Sequence, residues 1–208
     1  PETATPDVIE RLAAKGAIVA AGHTDATYEQ IAEAIRHGLT GFTHLFNAMS
    51  PLTARAPGVV GAALADPGSY CGIIVDGRHV HPQTLKLALR CKPHDRFMLV
   101  TDGLANVGTS KRSFDLLGHT IRIENGVYVD QNGTLAGSAL DMGQAVRNAI
   151  ELLGVSLPEA LTMASAAPAS FLGLARTHGR IAKGCRADFV VTDEALNVRQ
   201  TWIGGTPG

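Results

Sequence analysis

Histidines at 23, 44 and 79 and an aspartate at 102 each stand just beyond a short apolar run, where small or polar residues take over. Ala17 to Ala21 leads through Gly22 to His23, and Leu39 to Phe42 leads through Thr43 to His44. Cys71 to Val75 leads through Asp76-Gly77-Arg78 to His79, and Phe97 to Thr101 delivers Asp102. Such punctuation reads as buried strands that present a chemical group at their ends. Imidazoles and a carboxylate meeting on one face suit a divalent metal with a proton carrier beside it. His23 and His44, with matching punctuation, are the metal-ligand candidates. A zinc-type site takes three protein ligands and an open position, and no third ligand presents itself here with equal force. Asp102 is the candidate general base and then acid, and His79 is a candidate donor to an oxyanion.

Two further stretches suit contact with a ligand. Arg55 lies in a proline- and glycine-rich stretch from Pro51 to Gly68, where a guanidinium can fork onto phosphate oxygens. Thr134-Leu135-Ala136-Gly137-Ser138 offers small residues that let backbone approach a ligand. His81, His94, His119 and His178 read as surface or turn residues.

The elements that would position these groups alternate. Thr5-Pro6-Asp7 opens a helix that Gly16 ends, and Thr27 to His37 reads as a second helix with Gly38 as its C-cap. Strands are expected at Ala17 to Ala21, Leu39 to His44, Tyr70 to Val75 and Phe97 to Thr101. Pro51 to Gly68 reads as a functional loop with a short helical turn at Val59 to Leu64, and Pro82 to Arg90 as a helix. Beyond Asp102, Gly118 to Gly133 has the period-two texture of a hairpin, with Asn125-Gly126 as a type I′ turn. Helices are expected at Asp141 to Leu153, Leu157 to Ala164 and Pro168 to Leu172, then strands at Ala187 to Thr192 and Asn197 to Ile203. The spacing is that of βαβ units, so the fold class is α/β. A closed (β/α)8 TIM barrel needs eight strands and typically about 250 residues; with four such strands in 208 residues, half a barrel plus a tail is expected.

A formal net charge of −1 gives no electrostatic case for nucleic acid or an anionic membrane. No apolar run approaches the roughly 20 residues that span a bilayer. Cys71, Cys91 and Cys185 are scattered, without CxxC spacing, which argues against a disulfide framework or a thiolate zinc site and for a cytoplasmic setting. Without an initiating methionine, the chain reads as beginning in mid-protein.

Taken together, Ala21-Gly22-His23-Thr24, Thr43-His44-Leu45-Phe46-Asn47-Ala48-Met49, Arg55-Ala56-Pro57-Gly58, Asp76-Gly77-Arg78-His79, Val100-Thr101-Asp102 and Gly133 to Ser138 resemble the N-acetylglucosamine-6-phosphate deacetylases of the amidohydrolase superfamily. The resemblance runs over essentially all 208 residues. It implies hydrolysis of N-acetylglucosamine 6-phosphate to glucosamine 6-phosphate and acetate, with a divalent metal, zinc first and iron or manganese as alternatives. It implies His23 and His44 as metal ligands and Asp102 as base and acid. The amides of Asn47 and Ala48 with Arg55 would receive the phosphate, and Asp76, Gly77, Arg78 and His79 would contact the sugar or the scissile carbonyl. Leu135, Ala136 and Gly137 would line the acetyl pocket. It further implies a homodimer in which Arg55 completes the neighbouring subunit's site, and a glutamate ligand upstream of residue 1. Residues 1–180 would then be the C-terminal half of the barrel, with the hairpin at 118–133, and residues 181–208 the remnant of a small β-sandwich. The rival readings are another amidohydrolase acting on a cyclic amide or nucleobase, and a non-catalytic sugar-phosphate-binding fragment.

Overall fold

A computed structural model describes residues 1–105, 107–116, 118–124, 127–130 and 135–208, with residues 116, 119, 135 and 136 described by their backbone only. Its centre is a four-stranded parallel sheet in sequential order, β1 (Val19–Ala21), β2 (Leu39–Phe42), β3 (Tyr70–Ile73) and β4 (Phe97–Leu99). Each strand is shorter than the strand expected from the sequence. The residues beyond it, such as Thr43, Leu45 and Val100, leave strand geometry while their backbone stays tied to the neighbouring strand.

The connecting helices follow their sequence signals. Helix α1 (Pro6–Ala14) starts with proline in its first turn and is followed by Gly16 at φ 81°. Helix α2 (Tyr28–Arg36) carries a full capping box, in which the Thr27 hydroxyl accepts from Gln30 N and the Gln30 side chain accepts from Thr27 N. Helix α3 (Gly58–Ala65) is longer than the expected turn, because Gly58 to Ala63 are all buried and the segment is a core helix. Helix α4 (Pro82–Leu89) is capped by the His81 ring, which accepts from Gln83 N at 3.2 Å.

After β4 a four-stranded antiparallel sheet forms from β5 (Ser113–Leu116), β6 (His119–Glu124), β7 (Val127–Val129) and β8 (Leu135–Ser138). The expected hairpin is the β6/β7 pair, with Glu124 opposite Val127; its turn residues 125 and 126, like 131–134, lie outside the described residues. Helix α5 (Met142–Asn148) continues as a π-helical turn, Ala149–Leu153. The two helices expected near 157 and 168 are one run, α6 (Leu157–Leu161), a π turn (Thr162–Ala166) and α7 (Ala167–Phe171). Pro168, which has no N–H to donate, sits where the run passes from the π turn into α7. The chain closes with an antiparallel sheet of β9 (Phe189–Thr192), β10 (Val198–Ile203) and β11 (Thr206–Pro207).

The core lies between the parallel sheet and its helices, with Ile31, Phe42, Leu45, Val59, Ile73, Ile74, Leu85 and Phe97 out of contact with water. One cation is buried in it. Lys92 Nζ donates to Ala63 O at 2.9 Å, Ser69 O at 2.8 Å and Ser69 Oγ at 3.1 Å, so its three protons meet three acceptors where α3 ends and β3 begins. Beside it, burial pushes the Cys71 thiol up to about 11.

His37, just past α2, bonds Glu10 through Nδ1 and Glu33 through Nε2, each at 3.0 Å, and so clasps α1 to α2. The Glu10 bond raises its pKa above the ordinary imidazole value, burial opposes this, and Glu33 adds to the rise. A raised folded-state pKa gives stability that is complete below the unfolded value and is lost as pH climbs through the folded one. His37→Gln is therefore expected to lower the unfolding midpoint more near pH 6 than near pH 8.5, values bracketing the ordinary imidazole pKa of about 6.5. An equal loss at both pH values in denaturant titrations contradicts the clasp.

Candidate functional site

The strand ends converge. His23 follows β1, His44 follows β2, and their rings meet edge to face with centroids 4.8 Å apart and planes at 72°. His44 is 6% exposed and its Nδ1 is buried without a hydrogen-bond partner. A buried imidazole nitrogen left unpaired is unfavourable by about 1–3 kcal/mol, and a bound ligand is one way to satisfy it. A cleft of about 220 Å³ opens beside it, lined by His44, Thr43, Gly72, Val100 and Asp102, with Phe42 and Phe171 among its apolar walls. The structure thus brings His23, His44 and Asp102 to one end of the sheet.

All three hold backbone conformations that non-glycine residues seldom adopt: φ is 47° at His23, 31° at His44 and 48° at Asp102, and Ala48 follows at 49°. Left-handed residues of this kind cost about 1–3 kcal/mol each and cluster at functional sites. What holds them is a set of backbone bonds between neighbouring strand ends. Thr43 N donates to Ala21 O at 2.8 Å, Leu45 N to Gly72 O at 2.8 Å, and Val100 N to Ile73 O at 3.0 Å. Thr24 N donates to Ala48 O, and Ser50 N returns to Thr24 O. Two side chains reinforce this. Glu2 accepts from the Thr24 hydroxyl and from Asp25 N, and the Thr24 bond is the first cause of its carboxyl being pulled down to about 2. Ser138 N donates to Asp102 O at 2.9 Å while its hydroxyl donates to Thr101 O. Glu2 and Phe171 were not singled out in the sequence, and Ser138 was named only among the small residues of the 134–138 stretch. A lone acid or serine carries no pattern, although the strand-end position of Thr24 marks where a brace was needed.

The other expected residues distribute unevenly. The Asn47 amide N–H donates to His44 O at 3.0 Å and its Nδ2 to His44 O and Leu45 O, so Asn47 holds the turn together with both of its N–H groups. Ala48 is exposed, and its N–H makes no bond among the described residues. Arg55 is exposed in a second cleft of about 280 Å³, with Asp25, Tyr28, Glu29, Ser50 and Pro57, and does not line the cleft of His44 and Asp102. Gly77 and Arg78 are exposed, whereas Asp76 and His79 are paired, Oδ2 to Nδ1, at 2.6 Å. Leu135, Ala136 and Gly137 lie in β8. Gly137, at φ 116°, stands so close to Asp102 that a Cβ would come within 2.9 Å of its carbonyl oxygen.

Among the described residues no group of three His, Cys, Asp or Glu side chains is placed to hold a metal. His23 and His44 fit as two of the ligands on the strength of the orphaned Nδ1 and the adjacent rings, and a further ligand is needed to complete a site.

The geometry separates two kinds of residue. Asp102 is exposed, makes no side-chain hydrogen bond among the described residues and occupies a conformation asparagine accepts readily. Asp102→Asn is expected to leave unfolding stability within about 0.5 kcal/mol. Gly137→Ala, with its Cβ against the Asp102 carbonyl and a glycine-only φ, is expected to destabilise by about 1–3 kcal/mol. Calorimetry of the two variants checks this; a loss for Asp102→Asn as large as that for Gly137→Ala would make the carboxylate structural.

A sequence model of the amidohydrolase family matches residues 2–207. An N-acetylgalactosamine-6-phosphate deacetylase of Shewanella sp. (strain ANA-3) is 45% identical over 205 residues, which are 99% of this chain and 52% of that protein. The N-acetylglucosamine-6-phosphate deacetylase of Vibrio furnissii is 36% identical over 98% of this chain and 51% of its own length. Among solved structures, N-acetylglucosamine-6-phosphate deacetylase from Pasteurella multocida superposes with a TM-score of 0.95 at 38% identity, covering all of this chain and 54% of that one. The D267A mutant of the Mycobacterium smegmatis deacetylase, in complex with N-acetyl-D-glucosamine-6-phosphate, gives 0.90 at 35% identity over 99% of this chain and 55% of that one. The chain spans about half the length of the curated relatives it matches. With the sheet, the strand-end histidines and the full-length family match in agreement, the chain belongs to the amidohydrolase family.

Proposed function

We propose that the protein removes the N-acetyl group from an N-acetylhexosamine 6-phosphate, N-acetylglucosamine 6-phosphate in the first instance, giving the amino-sugar phosphate and acetate. The observation that carries this is His44, which meets the His23 ring edge to face, keeps a buried Nδ1 unpaired and lines a strand-end cleft together with Asp102. The names of the relatives support the substrate class. Because the Shewanella and Escherichia coli O157:H7 relatives are named for the galactosamine epimer, that sugar is the second substrate to test.

In this reading the four parallel strands are consecutive strands of a (β/α)8 barrel, in its C-terminal half. Residues 1–180 carry that half, and residues 181–208 are the remnant of a small β-sandwich. His23 and His44 hold a divalent ion, zinc first and iron or manganese otherwise, together with a carboxylate from outside these residues. When bound, such an ion polarises the amide carbonyl and makes water more acidic. Asp102 takes the proton of the attacking water as its oxygen adds to the acetyl carbon. It returns that proton to nitrogen as the C–N bond breaks, so the products are acetate and the free amine. His79 steadies the oxyanion, the Ala48 N–H and Arg55 receive the phosphate, and β8 around Gly137 borders the acetyl group. The placement of Arg55 in a cleft apart from His44 supports its service to a second subunit in a homodimer. Three cysteines without a disulfide fit a cytoplasmic setting.

The test is acetate release by the full-length protein. N-acetylglucosamine 6-phosphate and its galactosamine epimer are compared with unphosphorylated N-acetylglucosamine and with a cyclic amide. Turnover of a phosphosugar, lost on chelation and restored by zinc, is expected, with the unphosphorylated sugar at least about 10-fold slower for want of the charge-assisted bonds to phosphate. His79→Asn should lower turnover by about 10²–10³. Equal rates with and without the phosphate, or faster opening of the cyclic amide, would overturn the substrate assignment. Activity that survives chelation would overturn the role of the histidine pair.

A further inference from the structure

Asp76 was expected to meet the substrate, yet its carboxylate is already engaged by the protein. Oδ1 accepts the N–H of Arg78 at 2.8 Å and of His79 at 2.9 Å, and Oδ2 lies 2.6 Å from His79 Nδ1. Both side chains are nearly sealed from water, His79 at 5% and Asp76 at 7% exposure. Burial pushes the Asp76 carboxyl up, but the His79 ring and the two backbone N–H groups outweigh it and hold the group below the usual carboxylate range. An ionised carboxylate only accepts, so the proton shared by the pair sits on Nδ1. The other ring nitrogen, Nε2, makes no hydrogen bond among the described residues. The turn is braced from α5, where Asn148 Nδ2 donates to Val75 O at 2.7 Å and is itself held through its Oδ1 by Gln144 Nε2 at 2.6 Å.

We propose that Asp76 is a positioning residue that pins His79 in the Nδ1–H tautomer and leaves Nε2 as the ring's ligand-facing nitrogen, with Asn148 bracing the turn from behind. This rests on the reading above that His79 touches the substrate. It has a chemical consequence. The neutral ring offers a lone pair at Nε2 and accepts from a substrate O–H or N–H. It donates to an oxyanion only after taking a second proton.

The test uses the full-length protein with 15N-labelled histidine. In the wild type the neutral His79 ring should show its proton on Nδ1, a reading that needs no variant to fold and no turnover. Asp76→Asn can turn its NH2 toward Nδ1 and should move the proton to Nε2, with kcat/KM falling about 10–100-fold, as for the loss of other histidine-orienting partners. The Asp76→Asn/His79→Asn double variant should be no slower than His79→Asn alone. Asn148→Ala should lower kcat/KM less than Asp76→Asn does and leave the Nδ1 proton in place. A wild-type ring protonated at Nε2, or a double variant whose loss is the product of the two single losses, overturns the proposal. A wild type without deacetylase activity would instead remove the proposed function, while the tautomer would still report on Asp76.

Discussion

Everything at the site depends on the backbone bonds that tie each strand end to the next. A histidine at φ 47° or 31° and an aspartate at φ 48° do not hold those conformations unaided. They are kept there because the hydrogen bonding of the parallel sheet runs on past the strands, through Thr43 to Ala21, Leu45 to Gly72 and Val100 to Ile73. The bonds force the chain to turn at the point where each side chain must leave the sheet. The strain of the left-handed residues is offset by the buried sheet and helices beneath them, where Ile73, Phe97 and Leu45 are fully enclosed.

The same logic explains why small or hydroxylated residues surround the site. Gly72 lies where a Cβ would meet Val100 and the His44 backbone at 3.2–3.3 Å, and Gly137 lies against the Asp102 carbonyl. Thr24 links the carboxylate of Glu2 to the turn after His23, and Ser138 ties β8 to the turn before Asp102. At the floor, Phe171 approaches so near to Gly41 that a Cβ there would lie 2.6 Å from the ring, and the cleft has an apolar base. Apolar walls beside polar groups concentrate electrostatic effects at the strand ends, where His44 and Asp102 both line the cleft.

Much of this was legible in the chain because it is local. The apolar runs before His23, His44 and Asp102 announce strands, and the capping box at Thr27 and the prolines at 6 and 82 place helix starts. What was not legible depends on partners far apart in sequence. Asn148 and Val75 are 73 residues apart, and nothing near either of them records the bond. The pairing of Asp76 with His79 is only three residues long, but an Asp-x-x-His spacing serves a ligand contact as well as a clamp, and only the 2.6 Å geometry decides. The left-handed backbone at His23 and His44 was hidden for a different reason, since glycine marks such turns in a sequence and histidine does not. The π turns at 149–153 and 162–166 interrupt helices that the sequence announces as regular, the second leading directly into Pro168.

The central claim is that two strand-end imidazoles and a carboxylate are gathered around the place of a metal ion. Anomalous diffraction at the zinc edge from crystals of the full-length protein tests it most directly. The account predicts a peak about 2.0–2.1 Å from one ring nitrogen each of His23 and His44, with Asp102 beside it. A zinc peak bound elsewhere, with His44 Nδ1 still buried and unpaired, would contradict it.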